Sequence, residues 1–229
     1  MNEPADYCES LVRDADKDRF LATLFAPAAS RPALFALYAF DLETAAVAHR
    51  VRDPLAGEIR LQWWYDAIRG GDAAGHPVAA ALGAHMQQHR IAADRVLDLI
   101  DARRRALYPE AGQSEAEFEL AASQTDGAVF LIAAQILGGV PDEAVKLAAH
   151  HAGVAASAAR LSGDAVAFDP AAVAARHRAA VRDLIAQLPP SVLPALLPLA
   201  LRVEGRGELP QWRKQWILWR ASKNLAGSV

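Results

Sequence analysis

From Asp16 onward the chain repeats one pattern: apolar residues recur every three or four positions, punctuated by proline, glycine and capping residues. That period belongs to helices, and no stretch alternates at period two as a half-buried strand does. Asp16 predicts the cap of a short helix reaching Phe25, stopped by Pro27. A long helix is expected from Arg31 to Val51, with Pro32 in the tolerated first turn. It ends before Asp53-Pro54, because the residue preceding a proline resists helical geometry. Further helices are expected over Gly57 to Ile68, Pro77 to His89 and Asp94 to Leu107. Ser114 and Glu117 have the capping-box spacing for a helix running to Leu137 and closed by Gly138-Gly139. Pro141 to Leu161 and Asp169 to Leu188 follow; residues 191–201 read as a proline-broken segment, and a last helix runs from Pro210 to Leu225.

Composition supports an all-α reading. Of the 229 residues 52 are Ala, a strong helix former, and only Thr23, Thr44 and Thr125 are threonine. With 53% hydrophobic residues the chain has enough apolar surface for a packed core. Connections are short and show no linker composition, so residues 1–229 are expected to form a single domain. The net charge of −3 gives no electrostatic reason to bind nucleic acid. One cysteine, Cys8, excludes an internal disulfide. The N-terminus has no apolar signal segment and no Arg- and Ser-rich leader, and neither VFLIAAQILGGV nor SVLPALLPLAL is long enough to span a bilayer. The expected location is therefore cytoplasmic, with peripheral contact to the inner membrane left open.

Several side-chain groupings offer chemistry, each with a plainer explanation. Carboxylates four apart, Asp14/Asp18 and Asp94/Asp98 with Asp101, could share a cation, but they sit among Lys17, Arg19, Arg95 and Arg103 and read as ion-paired helix faces. His85 and His89 have the spacing of two zinc ligands without the glutamate of a metalloprotease. His150-His151 point two ways from one helix. Trp212, Trp216 and Trp219 share a face of the last helix. That face suits a membrane interface or docking onto the bundle; docking is expected, since three exposed tryptophans invite aggregation. Glu43 and Arg60 are candidates for a half-buried charge pair, near Gln62, Trp63 and Trp64.

The run beginning at Arg19, RFLATLFAPAASRPALFALYAF, followed by IRLQWW, resembles the squalene/phytoene synthase family. HPVAAAL, VLDLIDAR, TDGAVFLIAAQILG and HHAGVAASAARL extend the resemblance in order over most of the chain. It implies a helical bundle of the isoprenoid-synthase type around a central apolar cavity, in which two prenyl diphosphates condense. It also implies two aspartate-rich motifs on facing helices holding Mg²⁺, which neutralises the departing diphosphate.

Laid on that pattern, the first motif D-D-x-x-D falls on Ala45, Ala46 and His49, with Asp41 and Glu43 nearby but two apart on the helix. The second falls on GVAASAARLSGDAVAF, where Ser157, Arg160, Gly163 and Phe168 replace ligating or supporting residues and Asp164 alone matches. The resemblance is closest to a branch that lacks these motifs and includes a mitochondrial complex I assembly factor, which Glu43, Arg60 and Gln62 match. The expectation is a non-catalytic assembly or isoprenoid/lipid-binding protein with a protein partner, no cofactor, no catalytic residues and no metal. Trp63, Trp212, Trp216 and Trp219 are candidates for a partner or membrane surface. The alternative is an active Mg²⁺-dependent prenyltransferase with a displaced site built from Asp41, Asp126 and Asp164.

Overall fold

The computed structural model describes residues 3–71, 73, 75–108, 113–161, 166–201 and 209–226, and among these there is no strand. Twelve α-helices follow one another among the described residues: α1 Glu3–Ala15, α2 Lys17–Thr23, α3 Arg31–Arg50, α4 Pro54–Ile68, α5 Pro77–Gln88, α6 Ala93–Arg105, α7 Glu115–Ala122, α8 Ala128–Ile136, α9 Glu143–Ala158, α10 Pro170–Leu184, α11 Leu193–Leu201 and α12 Gln211–Ala226.

Two buried helices organise the bundle. α3 is apolar almost all round from Ala33 to Phe40, and packs against α1, α2, α4, α5, α6 and α8. α9 carries an unbroken buried run from Ala152 to Ala158, and small alanines there let α7, α8, α10 and α11 approach closely. α8 lies between them and touches both. A helical stretch hydrophobic on every side is one covered on every side, as Ala33 to Phe40 of α3 and Ala152 to Ala158 of α9 are.

Most ends fall where the caps predict. The Asp16 carboxylate accepts the Arg19 N–H at 2.9 Å, and Ser114 and Glu117 close a full capping box. Arg31 fastens the end of α2, donating from Nε and Nη2 to the carbonyls of Ala26 and Leu24, both at 2.9 Å.

Four differences have physical causes. α1 is absent from the sequence reading because its acidic residues dilute the apolar signal of Leu11, Val12 and Cys8, yet Cys8 and Val12 are fully buried. α4 starts at Pro54 rather than Gly57: α3 ends at Arg50, and Asp53 caps α4 through the Leu55 N–H. The helix after Ser114 does not run evenly, since Ser123–Gly127 forms a π-helical turn between α7 and α8. Residues 193–201 stay helical through Pro198 because burial on α2, α8 and α9 outweighs one missing hydrogen bond.

Candidate functional site

α2, α3, α6, the π turn and α9 converge on a buried cluster of charges. Asp41, 3% exposed, is held on both oxygens: Oδ2 accepts from Arg19 Nη1 and Oδ1 from Arg103 Nη2, each at 2.6 Å. Arg19, 5% exposed, also lies 3.6 Å from the Asp16 carboxylate, 3.6 Å from Asp126 Oδ1 and 5.0 Å from the centre of the Tyr38 ring. Asp126, on the π turn, accepts at Oδ2 from the Ser157 hydroxyl and from Arg160 Nη2. Asp16, Asp41 and Asp126 are thereby balanced by Arg19, Arg103 and Arg160.

The balance sets the protonation states. Burial by itself pushes the Asp41 carboxyl up, but the Arg19 and Arg103 guanidiniums outweigh it and hold it well below the ordinary carboxylate range. Asp126 behaves likewise: burial opposes its ionisation, and Arg160 and Arg19 more than compensate. Burial opposes the charge on Arg19, and its three carboxylate neighbours restore it with a margin. All three remain ionised at neutral pH.

A π turn adds one residue to a helical turn and re-aims the side chains around it. Here it turns Asp126 toward α9, and glycine makes the approach feasible. A Cβ on Gly153 would sit 2.2 Å from the Gly127 nitrogen and 2.4 Å from its Cα. Only a bare backbone on α9 lets the turn come close enough for Asp126 to reach Ser157 and Arg160.

The positions matched to the metal motifs can be tested against what Mg²⁺ requires, an octahedron of free oxygen ligands. Ala45 and Ala46 present methyl groups on α3, and His49 is exposed in its last turn. Ser157 spends its hydroxyl proton on Asp126, and Arg160 brings in positive charge. Phe168 packs its ring 5.1 Å from Phe118. Gly163 and Asp164 lie outside the described residues. Of the three carboxylates a displaced site would use, Asp164 lies outside the described residues, and Asp41 and Asp126 converge on Arg19, which takes the place a cation would occupy. The described residues do not fit a Mg²⁺–diphosphate cluster.

Glu43 faces away from Asp41, into a pocket of about 300 Å³ lined by Val47, Arg50, Arg60, Trp63, Trp64 and His76. The expected pairing with Arg60 gives way to a contact with His76, whose Nε2 is 3.7 Å from Glu43 Oε2. Arg60 is exposed at the edge of the same pocket and makes no ion pair with Glu43. Trp63 and Trp64 pack edge to face at 5.0 Å, and both rings rest on His76. Gln62 ties two helices: it donates to Asp66 at 2.7 Å and accepts from Arg104 of α6 at 2.6 Å. A larger hollow of about 610 Å³ opens between α6, the π turn, α8 and α9, with Arg95, Asp98, Asp101, Arg105, Lys146 and His150 on its walls.

The expectation that the three tryptophans of α12 dock onto the bundle is overturned. Trp212, Trp216 and Trp219 are 70%, 52% and 54% exposed. The opposite face docks instead: Leu218 is fully buried with Ile217 and Ala221 beside it, and Lys214 reaches Asp18 at 2.7 Å. Four helical residues suffice to anchor α12 on α2 and α11, so the aromatic stripe is not needed for packing.

Sequence reading found Asp41 and Asp126 without their roles, and it took Arg19 and Arg103 for surface counter-charges. A signal was present in Arg19, which immediately precedes Phe20 and the buried run Leu21 to Thr23, but the sign of a charge says nothing about which carboxylate it will meet.

The squalene/phytoene synthase family model matches residues 12–164. The chain is 32% identical over 152 residues to NADH dehydrogenase (ubiquinone) complex I, assembly factor 6, of Bos taurus, covering 65% of this chain and 45% of that protein. It is 30% identical over 152 residues to the Homo sapiens protein of the same name, and 30% identical over 166 residues to the Drosophila melanogaster homolog, covering 69% of this chain and 49% of that one. The chain thus spans about half the length of the curated relatives it matches. Among solved structures, a ligand-bound dehydrosqualene synthase superposes with a TM-score of 0.77 at 13% identity, covering 98% of this chain and 97% of that one. A squalene synthase from Alicyclobacillus acidocaldarius gives 0.66 at 16% identity, covering 98% and 95%. These structures share the all-α isoprenoid-synthase fold.

Proposed function

The chain belongs to the squalene/phytoene synthase family, and we propose that within it this protein acts without prenyl-transfer catalysis, as an assembly factor of a respiratory NADH dehydrogenase that works by engaging a protein partner. One observation carries the reading: the buried carboxylates Asp41 and Asp126 are neutralised by Arg19, Arg103 and Arg160. An arginine cluster makes the interior self-sufficient, whereas an allylic diphosphate ionises only beside cations free to take up its leaving group. The relatives named as complex I assembly factors support the direction of the proposal. An isoprenoid or lipid tail would meet a mixed wall in the larger hollow, where Ala128, Leu131, Ile132 and Ala149 stand beside Arg95, Arg105, Lys146, Asp98 and Asp101.

Two measurements test it together. Purified protein is incubated with farnesyl or geranylgeranyl diphosphate and Mg²⁺, with a working synthase as control, and diphosphate release is followed. Deletion of the gene in its own host is then assayed for NADH:quinone activity and for the assembled complex. The expected result is no release, and loss of the assembled complex restored by the wild-type gene. Diphosphate release, or normal assembly in the deletion strain, overturns the proposal.

No helix among the described residues is long and apolar enough to cross a membrane. A peripheral contact is favoured by α12, where the exposed Trp212, Trp216 and Trp219 are bordered by Arg213, Arg220 and Lys223. Arg220 lies 5.4 Å from the Trp216 ring, as at a headgroup boundary where aromatics and cations share one layer. Sedimentation with phosphatidylglycerol vesicles, and a blue shift of tryptophan emission, are expected for the wild type and lost in W212S/W216S/W219S. Equal binding by that variant would remove the basis of this contact.

A further inference from the structure

Three histidines meet away from the charge cluster. His150 and His151 leave the middle of α9, and His177 reaches them from α10, where it is buried. One ring nitrogen from each of the three lies within 4.8 Å of the others. The closest pair is His151 Nδ1 and His177 Nδ1, 2.9 Å apart. Adjacent residues on a helix diverge by roughly 100°, so His150 and His151 by themselves could not form a site. His177 supplies the point on which they converge.

A second observation concerns the far side of the His177 ring. Its Nε2 is 3.0 Å from Glu119 Oε1 on α7, and that carboxylate is held in turn by Arg176. A carboxylate only accepts, so the proton of His177 sits on Nε2 and the lone pair of Nδ1 is aimed into the cluster. Carboxylate-oriented imidazole is the arrangement that fixes tautomer and direction in metal-ligating histidines. With His177 in that tautomer, the 2.9 Å contact makes His151 Nδ1–H the donor to that lone pair. Burial first, and then the neighbouring rings, push the His150 and His151 imidazoles below their ordinary range.

We propose that His150, His151 and His177 form a binding site for a transition-metal ion of the Zn²⁺ class, with Glu119 as its positioning residue. Neutral imidazoles suit Zn²⁺ and its neighbours rather than Mg²⁺. Tetrahedral coordination at about 2.0–2.1 Å places ligand nitrogens about 3.3 Å apart, within reach of small side-chain rotations of the two half-buried rings. Three protein ligands leave a fourth position for water. The ion would clip α10 to α9, with α7 bearing on the site through Glu119. It stands independently of the assembly role, which neither requires nor excludes it.

The test uses the full chain, purified without a polyhistidine tag and stripped with chelator. Co²⁺ is titrated and the tetrahedral visible absorption followed, then displaced by Zn²⁺; calorimetry gives stoichiometry. One equivalent is expected, with a rise in melting temperature. H150Q and H151Q should each weaken binding at least about 10-fold, and Glu119→Gln about 10- to 100-fold, the range seen for such orienting carboxylates. Circular dichroism confirms the fold of each variant, and His150, being half-buried, provides the variant that least disturbs it. H85Q/H89Q should bind as the wild type does. Absence of saturable binding, or undiminished binding by the H150Q/H151Q double variant, overturns the proposal. So does loss of binding confined to H85Q/H89Q, which would place the ion on α5.

Discussion

The Arg19 guanidinium on α2 donates to the Asp41 carboxylate on α3 at 2.6 Å, with both side chains almost wholly removed from water. The contact joins residues 22 positions apart and lies at the centre of five packed elements. It converts an acidic side chain on the metal-motif helix into a structural anion. A buried pair of this kind adds little net stability over a well-packed apolar pair, but breaking it strands a charge.

Asp41→Ala should therefore destabilise strongly, by about 3–5 kcal/mol, because Arg19 and Arg103 lose a common partner. Removing Arg19 as well should cost less than the sum of the single changes, a coupling that a double-mutant cycle in urea would measure. Additive losses would mean that the two side chains do not act on one another.

Acid should unfold the protein through the same cluster. Asp41 and Asp126 have folded-state values held below those of the unfolded chain by their arginine partners. A depressed carboxyl contributes stability that is complete above its unfolded value, about 3.9. That stability drains as pH falls toward the folded value. Melting temperature followed from pH 7 to about pH 2 should hold above pH 5 and drop steeply below 4. Asp126→Asn should flatten the drop.

Gly153→Ala should cost about 3 kcal/mol or more, since the new methyl meets the backbone of Gly127 rather than a side chain that could rotate away. Gly83→Ala on α5 is the control. Nothing lies within 4 Å of the added methyl there, and replacing a mid-helix glycine should stabilise by about 0.5–1 kcal/mol. Chemical denaturation of both variants reads the contrast directly.

Cys8 is buried against α3, and burial, helped by Glu43, pushes its thiol up to about 11. Thiol reagents attack the thiolate, so labelling of native protein near neutral pH should be slow and should become rapid in denaturant. Fast labelling of the folded chain would show that α1 detaches readily.

Local chemistry made much of this molecule legible in advance. Proline, glycine and capping residues act on their immediate neighbours, which is why the bounds of α3, α5 and α12 and the capping box at Ser114 follow from the order of residues. The substitution of Ala45, Ala46 and His49 where a metal site needs oxygens is also a property of single positions. α1 escaped notice because its acidic residues keep the segment polar on average even though its apolar residues share one helical face, and it is that face that packs on α3 and α5.

Sequence by itself thus determined an all-α chain of the squalene/phytoene synthase family, with Ala45, Ala46 and His49 at the positions where the resemblance places carboxylates. Only the tertiary structure decided that Arg19 and Arg103 would neutralise Asp41, that Arg160 would cross to Asp126, that His177 would meet His151, and that the tryptophans of α12 would face outward. Each of these depends on how two helices distant in sequence are rotated against one another. Periodicity states which residues share a face; which neighbour covers that face is settled by packing, here by the close contact of Gly153 with Gly127 and the docking of Leu218.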